Sequence, residues 1–300
     1  MKAVVLAETG GPERLELRDV PDPEGAVVDV RAAGVNFADA LIRAGRYPQP
    51  PELPTVLGSE VAGELDGRRV LALTRLGGGG YAERAAVDPE WAFPLPNGAT
   101  FAEGAAFLLV FLTAYVPLVR FVRRGATVLV HAAAGGVGSA AVQVARQLGA
   151  RVVATASSPE KRAFALELGA DEAYAYDEVA AHVRADIVLD PVGGTVFAES
   201  LRLLNPLGVA VAIGYAGGQW EQVDPALLVG RNVGIQGFYL GRLMAREPTV
   251  VREAVYELLA LWEQGAVRPV VGAELPLAEA AAAHELIESR RSVGKVVLVP

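Results

Sequence analysis

Between residues 127 and 239 the spacing of apolar positions changes rhythm in a regular way. Short runs rich in Val, Ile and Leu alternate with longer stretches in which apolar residues return every three to four positions. The runs predict strands at Thr127–His131, Arg151–Ala156, Glu172–Tyr176, Ala185–Leu189, Gly208–Ile213 and Val233–Tyr239. The stretches between them predict helices at Gly138–Leu148, Pro159–Leu168, Val179–Val183 and Thr195–Leu204, with a weaker pattern at Pro225–Val229. Six strands joined by helical crossovers make an α/β fold, a doubly wound parallel sheet of the Rossmann type. The last strand, Val233–Tyr239, reads as an edge, and a long apolar edge invites pairing with a second chain. A two-fold dimer joined through these strands is therefore expected.

The flanking segments follow other patterns. From Met1 to about Ala92 short β runs (Ala3–Ala7, Arg14–Arg18, Val27–Ala33, Val70–Leu73) are punctuated by Gly and Pro, without alternating helices. This reads as a separate β-rich domain. Asn36 or Asp39 can cap a short helix that Gly45 ends, and Gly77–Gly80 reads as a loop or tight turn. Phe101–Val122 is helical and apolar, interrupted by Pro117. After the sheet come an amphipathic helix at Thr249–Gln264, a short apolar run at Val267–Val271, a helix at Leu277–Ser289 and a strand at Val293–Val299. That final strand has no place in a six-stranded sheet and is expected to return to the first domain. The division implied is 1–108 with 242–300 for the β-rich domain, and 109–241 for the Rossmann domain.

The turn after the first parallel strand carries the chemistry. His131-Ala132-Ala133-Ala134-Gly135-Gly136-Val137-Gly138 lies between a strand and a helix, the context of a dinucleotide fingerprint, with Ala133, Gly135 and Gly138 in the three glycine positions. The helix N-terminus offers free N–H groups and a positive dipole end to a diphosphate over Ala134, Gly135, Gly136 and Val137. The same motif also reads as an ordinary glycine turn of an α/β protein. About 20 residues on, where an NAD enzyme carries Asp or Glu, stands Ser157, with Lys161 behind it. A hydroxyl and an ammonium suit a 2′-phosphate, so the pattern favours NADPH over NADH. Lys161 also reads as an exposed helix lysine, but Lys2, Lys161 and Lys295 are the only lysines in the chain.

Composition narrows the field. With 52% hydrophobic and 21% charged residues the chain is an ordinary globular protein. A net charge of −8 argues against a nucleic-acid or anionic-membrane surface. No run of about 18 apolar residues occurs and the first residues already read as a strand, so a cytoplasmic protein without a membrane span is expected. The chain has no cysteine, which leaves no thiolate zinc site and no cysteine nucleophile. His131, His182 and His284 are scattered without ligand spacing and read as structural or surface groups.

Together, Gly34-Val35-Asn36-Phe37-Ala38-Asp39, Arg46-Tyr47-Pro48, Gly58-Ser59-Glu60-Val61-Ala62-Gly63, the His131–Gly138 turn, Ala156–Lys161 and Leu189–Gly194 resemble the quinone oxidoreductase, zeta-crystallin-like branch of the medium-chain dehydrogenase/reductase superfamily. The resemblance covers nearly the whole chain. It implies a GroES-like catalytic domain built from both chain ends around a Rossmann cofactor domain, with NADPH as cofactor and often a dimer. Zinc members of the superfamily carry a histidine where Ser59 stands, so no metal is expected here. The family often has a pocket tyrosine at the place of Leu41, while Tyr47 matches its second one. The 2′-phosphate is expected at Ser157, Lys161 and Tyr176, and the resemblance adds Arg290, which also reads as a solvated arginine of a charged turn with Arg291. Asp190, Val192 and Gly193, with Ile213, Gly214 and Tyr215, end strands at the carboxyl edge, where ligands of open α/β sheets bind. Thr113, Phe238, Tyr239 and Leu240 are expected at the nicotinamide, although Phe238 also reads as edge-strand core.

Asn36 and Tyr47 are the polar groups expected near the reacting centre, Asn36 reading equally well as a helix cap. Without zinc a saturated alcohol is a poor substrate, whereas a quinone or activated alkene needs less polarisation. The expected activity is reduction of a quinone by NADPH, with reduction of α,β-unsaturated carbonyls as the alternative. A cofactor-binding structural or RNA-binding role is the contrasting possibility, and no basic, aromatic-interleaved patch supports it.

Overall fold

The computed structural model describes residues 1–74 and 78–300. The chain divides into two compact units, Met1–Leu109 with Arg268–Pro300, and Val110–Val267.

The second unit is built on six parallel strands: Thr127–Val130, Arg151–Thr155, Glu172–Tyr174, Ala185–Asp190, Leu204–Ala212 and Gly234–Gly237. Taken in chain order, they lie in the spatial order third, second, first, fourth, fifth, sixth. This is the doubly wound order whose reversal lies between the first and fourth strands. The central strands are covered on both faces: Val128, Leu129, Val130, Val152, Val153, Val188 and Leu189 are all fully buried. Continuous apolar runs, not alternating ones, are what a two-sided parallel sheet requires.

The first unit holds two sheets. One orders Leu15–Asp19, Lys2–Leu6 and Thr55–Val56. In the other, Val271–Pro276, Lys295–Val299, Val27–Val35, Glu60–Leu65, Arg68–Leu73 and Ala92–Pro94 are neighbours in that order, and Arg84–Ala86 also pairs Val27–Val35. The C-terminal strand Lys295–Val299 thus returns to the first unit, antiparallel to Val27–Val35 with Val296 opposite Val35.

Several boundaries differ from expectation. The apolar stretch from Phe101 breaks at Ala106 and Phe107, giving helices Phe101–Ala105 and Leu108–Phe121. Pro117 does not interrupt the second, because a proline inside a helix removes one i→i−4 bond and the remaining turns hold. The last parallel strand ends at Gly237, not Tyr239. Phe238 still donates its N–H to Ala212, but Tyr239 caps a new helix, Leu240–Arg246. Helix Pro248–Glu263, expected with the terminal domain, falls in the second unit, whose boundary is Val267. Its Glu257 accepts a hydrogen bond from Tyr115 at 2.6 Å within that unit. The run read at Val267–Val271 becomes the strand Val271–Pro276. Of the glycine loop, Gly77 lies outside the described residues, and Gly79 takes φ +92°. Among the described residues no helix is long and apolar enough to cross a membrane.

Candidate functional site

The register of the parallel sheet brings most of the expected residues to one edge. Thr155 pairs with Tyr174, which puts Ser157 and Tyr176 level just beyond their strands. Val130 pairs with Ala154 and Leu189, so the His131–Gly138 turn lies between Ser157 on one side and Asp190 on the other. Asp190 pairs with Ala212, and Ala212 with Gly237, which adds Ile213–Tyr215 and then Phe238–Leu240 to the same edge.

The turn itself is built for close approach. Ala132 adopts φ +50°, and its N–H donates to the Tyr176 hydroxyl at 3.0 Å. Helix Gly136–Gln147 begins at once, with Gly135 as its N-cap, so the first-turn N–H groups have no intrahelical acceptor. A Cβ on Gly138 would sit 2.2 Å from the Ala132 carbonyl oxygen, so helix and turn pack only with glycine there. Gly135 is different: a Cβ would meet nothing in the protein closer than 3.4 Å. Internal packing therefore does not demand glycine at that position.

Ser157 is exposed, and Lys161 and Tyr176 are partly buried. Burial holds the Lys161 ammonium below its usual pKa. Ser158 caps the helix Pro159–Glu167 by accepting the Lys161 N–H, which fixes the lysine one turn into the helix. Asp190 is fully buried. Its Oδ1 accepts N–H groups from Val192 at 2.5 Å and Gly193 at 3.1 Å, while its Oδ2 is buried without a hydrogen-bond partner. Burial pushes its pKa up to about 6 against those two donors. Gly217 and Ala216 donate to the Val192 and Pro191 carbonyls, lacing the two loops of this edge together. Beneath the turn, His131 is locked neutral. The Ser200 hydroxyl donates to Val196, so His131 Nε2–H donates to Ser200 and Nδ1 accepts from Thr155, both at 2.7 Å. Burial depresses its pKa to about 3.

Asn36, Tyr47 and Arg290 belong to the first unit. Tyr47 packs partly buried against its core, and Arg290 is exposed at φ +57° just after the last helix. Asn36 is buried at the start of helix Phe37–Arg43. Its backbone N–H donates to Asp39 at 2.9 Å, but its side chain turns elsewhere: Oδ1 accepts from Lys295 Nζ at 2.5 Å and Nδ2 donates to Glu60 at 3.0 Å. Lys295 and Glu60 form an ion pair at 2.5 Å, both buried.

Asp39 belongs to a second chain of buried groups. Arg43 Nε–H donates to His284 Nδ1, which leaves Nε2–H to donate to Tyr81, and Tyr81 O–H donates to Asp39 Oδ2 at 3.0 Å. Burial raises Asp39 to about 6, opposed by Asn36, Lys295 and Tyr81, and lowers His284 to about 3, with Arg43 adding to the effect. Sequence reasoning missed Lys295, Glu60, Tyr81 and His284. The one signal available was Lys295, a rare lysine opening an otherwise apolar strand.

Thr113 lies on helix Leu108–Phe121, in the second unit. Ser59 is buried, and among the described residues no group of three or more His, Cys, Asp or Glu side chains is placed to hold a metal ion.

Two family models match the chain: the alcohol dehydrogenase GroES-like domain over residues 22–97 and the zinc-binding dehydrogenase over 136–260. A quinone oxidoreductase of Pseudomonas aeruginosa is 36% identical over 329 aligned positions, covering all of this chain and 99% of that protein. The chain belongs to the quinone oxidoreductase branch of the medium-chain dehydrogenase/reductase superfamily. Among solved structures, the quinone oxidoreductase from Thermus thermophilus, determined alone and with NADPH, is similar to this oxidoreductase with 45% identity and a TM-score of 0.93, each chain covered in full. The Escherichia coli quinone oxidoreductase complexed with NADPH gives 30% identity and a TM-score of 0.92, again over both whole chains.

Proposed function

We propose that the chain is an NADPH-dependent quinone oxidoreductase that works without zinc. The observation that carries this reading is the sheet edge: a glycine turn at a helix N-terminus, flanked at the next two strand ends by Ser157, Lys161 and Tyr176, with Ser157 where a carboxylate would select NADH. The NADPH complexes of the two related structures agree with it. NADPH, when bound, supplies the reducing equivalents. The free N–H groups of Gly136 and Val137 hold its diphosphate over Ala134 and Gly135, with the positive end of the helix dipole, while the Gly135 N–H closes the turn onto Ala132 O at 2.9 Å. Ser157, Lys161 and Tyr176, joined by Arg290, hold the 2′-phosphate. Thr113, Phe238, Tyr239 and Leu240, with the Asp190–Gly193 and Ile213–Tyr215 loops, seat the nicotinamide end. At the acceptor, Asn36 and Tyr47 hydrogen-bond the oxygen that gains negative charge, and Tyr47 or water returns a proton to it. Steady-state assays with 1,4-naphthoquinone and with an enone test the reading. Faster turnover of the quinone is expected; turnover of the enone alone would make the protein an alkene reductase instead.

The two turn glycines separate binding from stability. Gly138→Ala is expected to lower unfolding free energy by about 1–3 kcal/mol through overpacking against Ala132, measured by urea denaturation. Gly135→Ala should leave stability nearly unchanged and weaken NADPH binding at least tenfold, measured by nucleotide fluorescence.

Zinc independence is expected from a chain that has no cysteine and carries Ser59 where zinc members of the superfamily carry a histidine. Activity should survive exhaustive dialysis against a chelator, with no stoichiometric zinc by elemental analysis. Loss of turnover restored by zinc would refute it.

The dimer rests on strand Gly234–Gly237, the last of its sheet among the described residues. Ile235 on that strand is partly exposed, and Leu207 and Val229 nearby are 86% and 77% exposed. Light scattering at micromolar concentration should give about twice the chain mass of 31.4 kDa.

A further inference from the structure

We infer that Lys295 is a positioning residue for this reduction: acting through Asn36, it prepares one amide N–H as the donor for the oxyanion that forms on the acceptor. The inference rests on the function proposed above.

Sheet register explains how the three groups meet. Val296 lies opposite Val35, so one step further Lys295 lies opposite Asn36. Ala33 lies opposite Val61, so one step further Gly34 lies opposite Glu60. Gly34 has no side chain to obstruct the carboxylate: a Cβ there would sit 2.6 Å from Glu60 Oε1 and 2.2 Å from the Ala105 carbonyl. The Lys295 ammonium has three hydrogens and three acceptors, Val35 O at 2.9 Å, Asn36 Oδ1 at 2.5 Å and Glu60 Oε1 at 2.5 Å. Glu60 is fixed at its other end, where Oε2 accepts the Leu109 N–H at 3.0 Å.

A buried ion pair is weak evidence of stabilisation, since apolar residues of the same volume often serve as well. What Lys295 does specifically is orient an amide and polarise it. A cation on Oδ1 draws electron density from Nδ2 and strengthens its N–H groups as donors. One of these goes to Glu60 at 3.0 Å. The other reaches only Gly34 O, at 3.4 Å, longer than a normal N–H···O bond. That second hydrogen is the one a substrate oxygen gains at least cost. A donor fixed in advance on two strand ends and a helix start needs no reorganisation as charge develops.

The test removes both charges together. Lys295→Met alone strands the Glu60 carboxylate and is expected to lower the urea midpoint, so the informative protein is Lys295→Met with Glu60→Gln. The probe is 4-nitrophenol, whose coloured phenolate presents an oxyanion. Titrated on the NADP⁺-saturated wild type, its pKa should fall by about one pH unit; on the double variant it should stay within a few tenths of its value in water. NADPH affinity should agree within twofold between the two proteins. Quinone kcat should fall about tenfold or more in the double variant, with the loss growing from chlorinated to methylated quinones, because a more basic oxyanion takes a stronger hydrogen bond. An unshifted phenol on the wild type, the same shift on both proteins, or a loss equal across the quinones overturns the inference. A shifted phenol on a wild type that reduces no quinone overturns the proposed function and leaves the donor standing.

Discussion

NADPH should be preferred over NADH by about a hundredfold or more in kcat/KM. The two nucleotides differ by a 2′-phosphate, and the edge proposed for it offers an ammonium and two hydroxyls. A hydrogen bond to a charged group contributes ~1.5–3 kcal/mol, so each cation is worth roughly tenfold to a hundredfold in affinity. Lys161 adds to this through its setting. Burial already disfavours its charged form, and a dianion beside it restores what burial removes. The same groups do little for NADH, whose 2′-hydroxyl needs an acceptor. Lys161→Ala should therefore raise the KM for NADPH tenfold or more and leave NADH nearly unchanged. Ser157→Asp should narrow the gap further by repelling the phosphate and offering the ribose a carboxylate. The preference should shrink as salt rises, because it is ionic and partly exposed. Equal damage to both cofactors in Lys161→Ala would place the phosphate elsewhere.

The cofactor half of the fold was legible in the sequence because its information is local. Each strand is one apolar run, each crossover one amphipathic stretch, and the turn residues follow one another from His131 to Gly138. Register then does the rest, carrying Ser157, Asp190 and Ile213 to one edge without any further signal. The other half is assembled from distant pieces. Asn36 meets Lys295 across 259 residues and Tyr81 meets His284 across 203. No periodicity links them, and strands as short as Thr55–Val56 and Arg84–Ala86 leave little pattern to read. Reading Asn36 as either a cap or a site residue left out its third role as partner of a buried ion pair. The edge strand was overextended for a related reason: Phe238 and Tyr239 are good strand residues, but the helix beginning at Leu240 claims Tyr239 as its cap.

Acid should act in opposite directions on two buried groups of the cofactor unit, and point variants should expose both. His131 titrates near 3 in the fold against 6.5 in the open chain. Its contribution to stability is complete above pH 6.5 and is lost as pH falls toward 3, because the unfolded chain takes up the proton that the fold excludes. Asp190 titrates near 6 in the fold against 3.8. Its contribution is complete below 3.8 and is lost as pH rises through 6. In the wild type the two trends largely cancel, so its own pH profile hides them. Comparison with variants does not. His131→Gln should be less stable than wild type at pH 7, since its bonds to Thr155 and Ser200 are disturbed, but the deficit should shrink by about 3 kcal/mol between pH 7 and pH 4. Asp190→Asn should move the other way over the same interval, losing about 2 kcal/mol relative to wild type. Urea denaturation of the three proteins at both pH values measures the differences. A His131→Gln deficit that stays constant with pH would mean that the imidazole takes up its proton inside the fold, against the Nε2–H form that its bonds to Ser200 and Thr155 require.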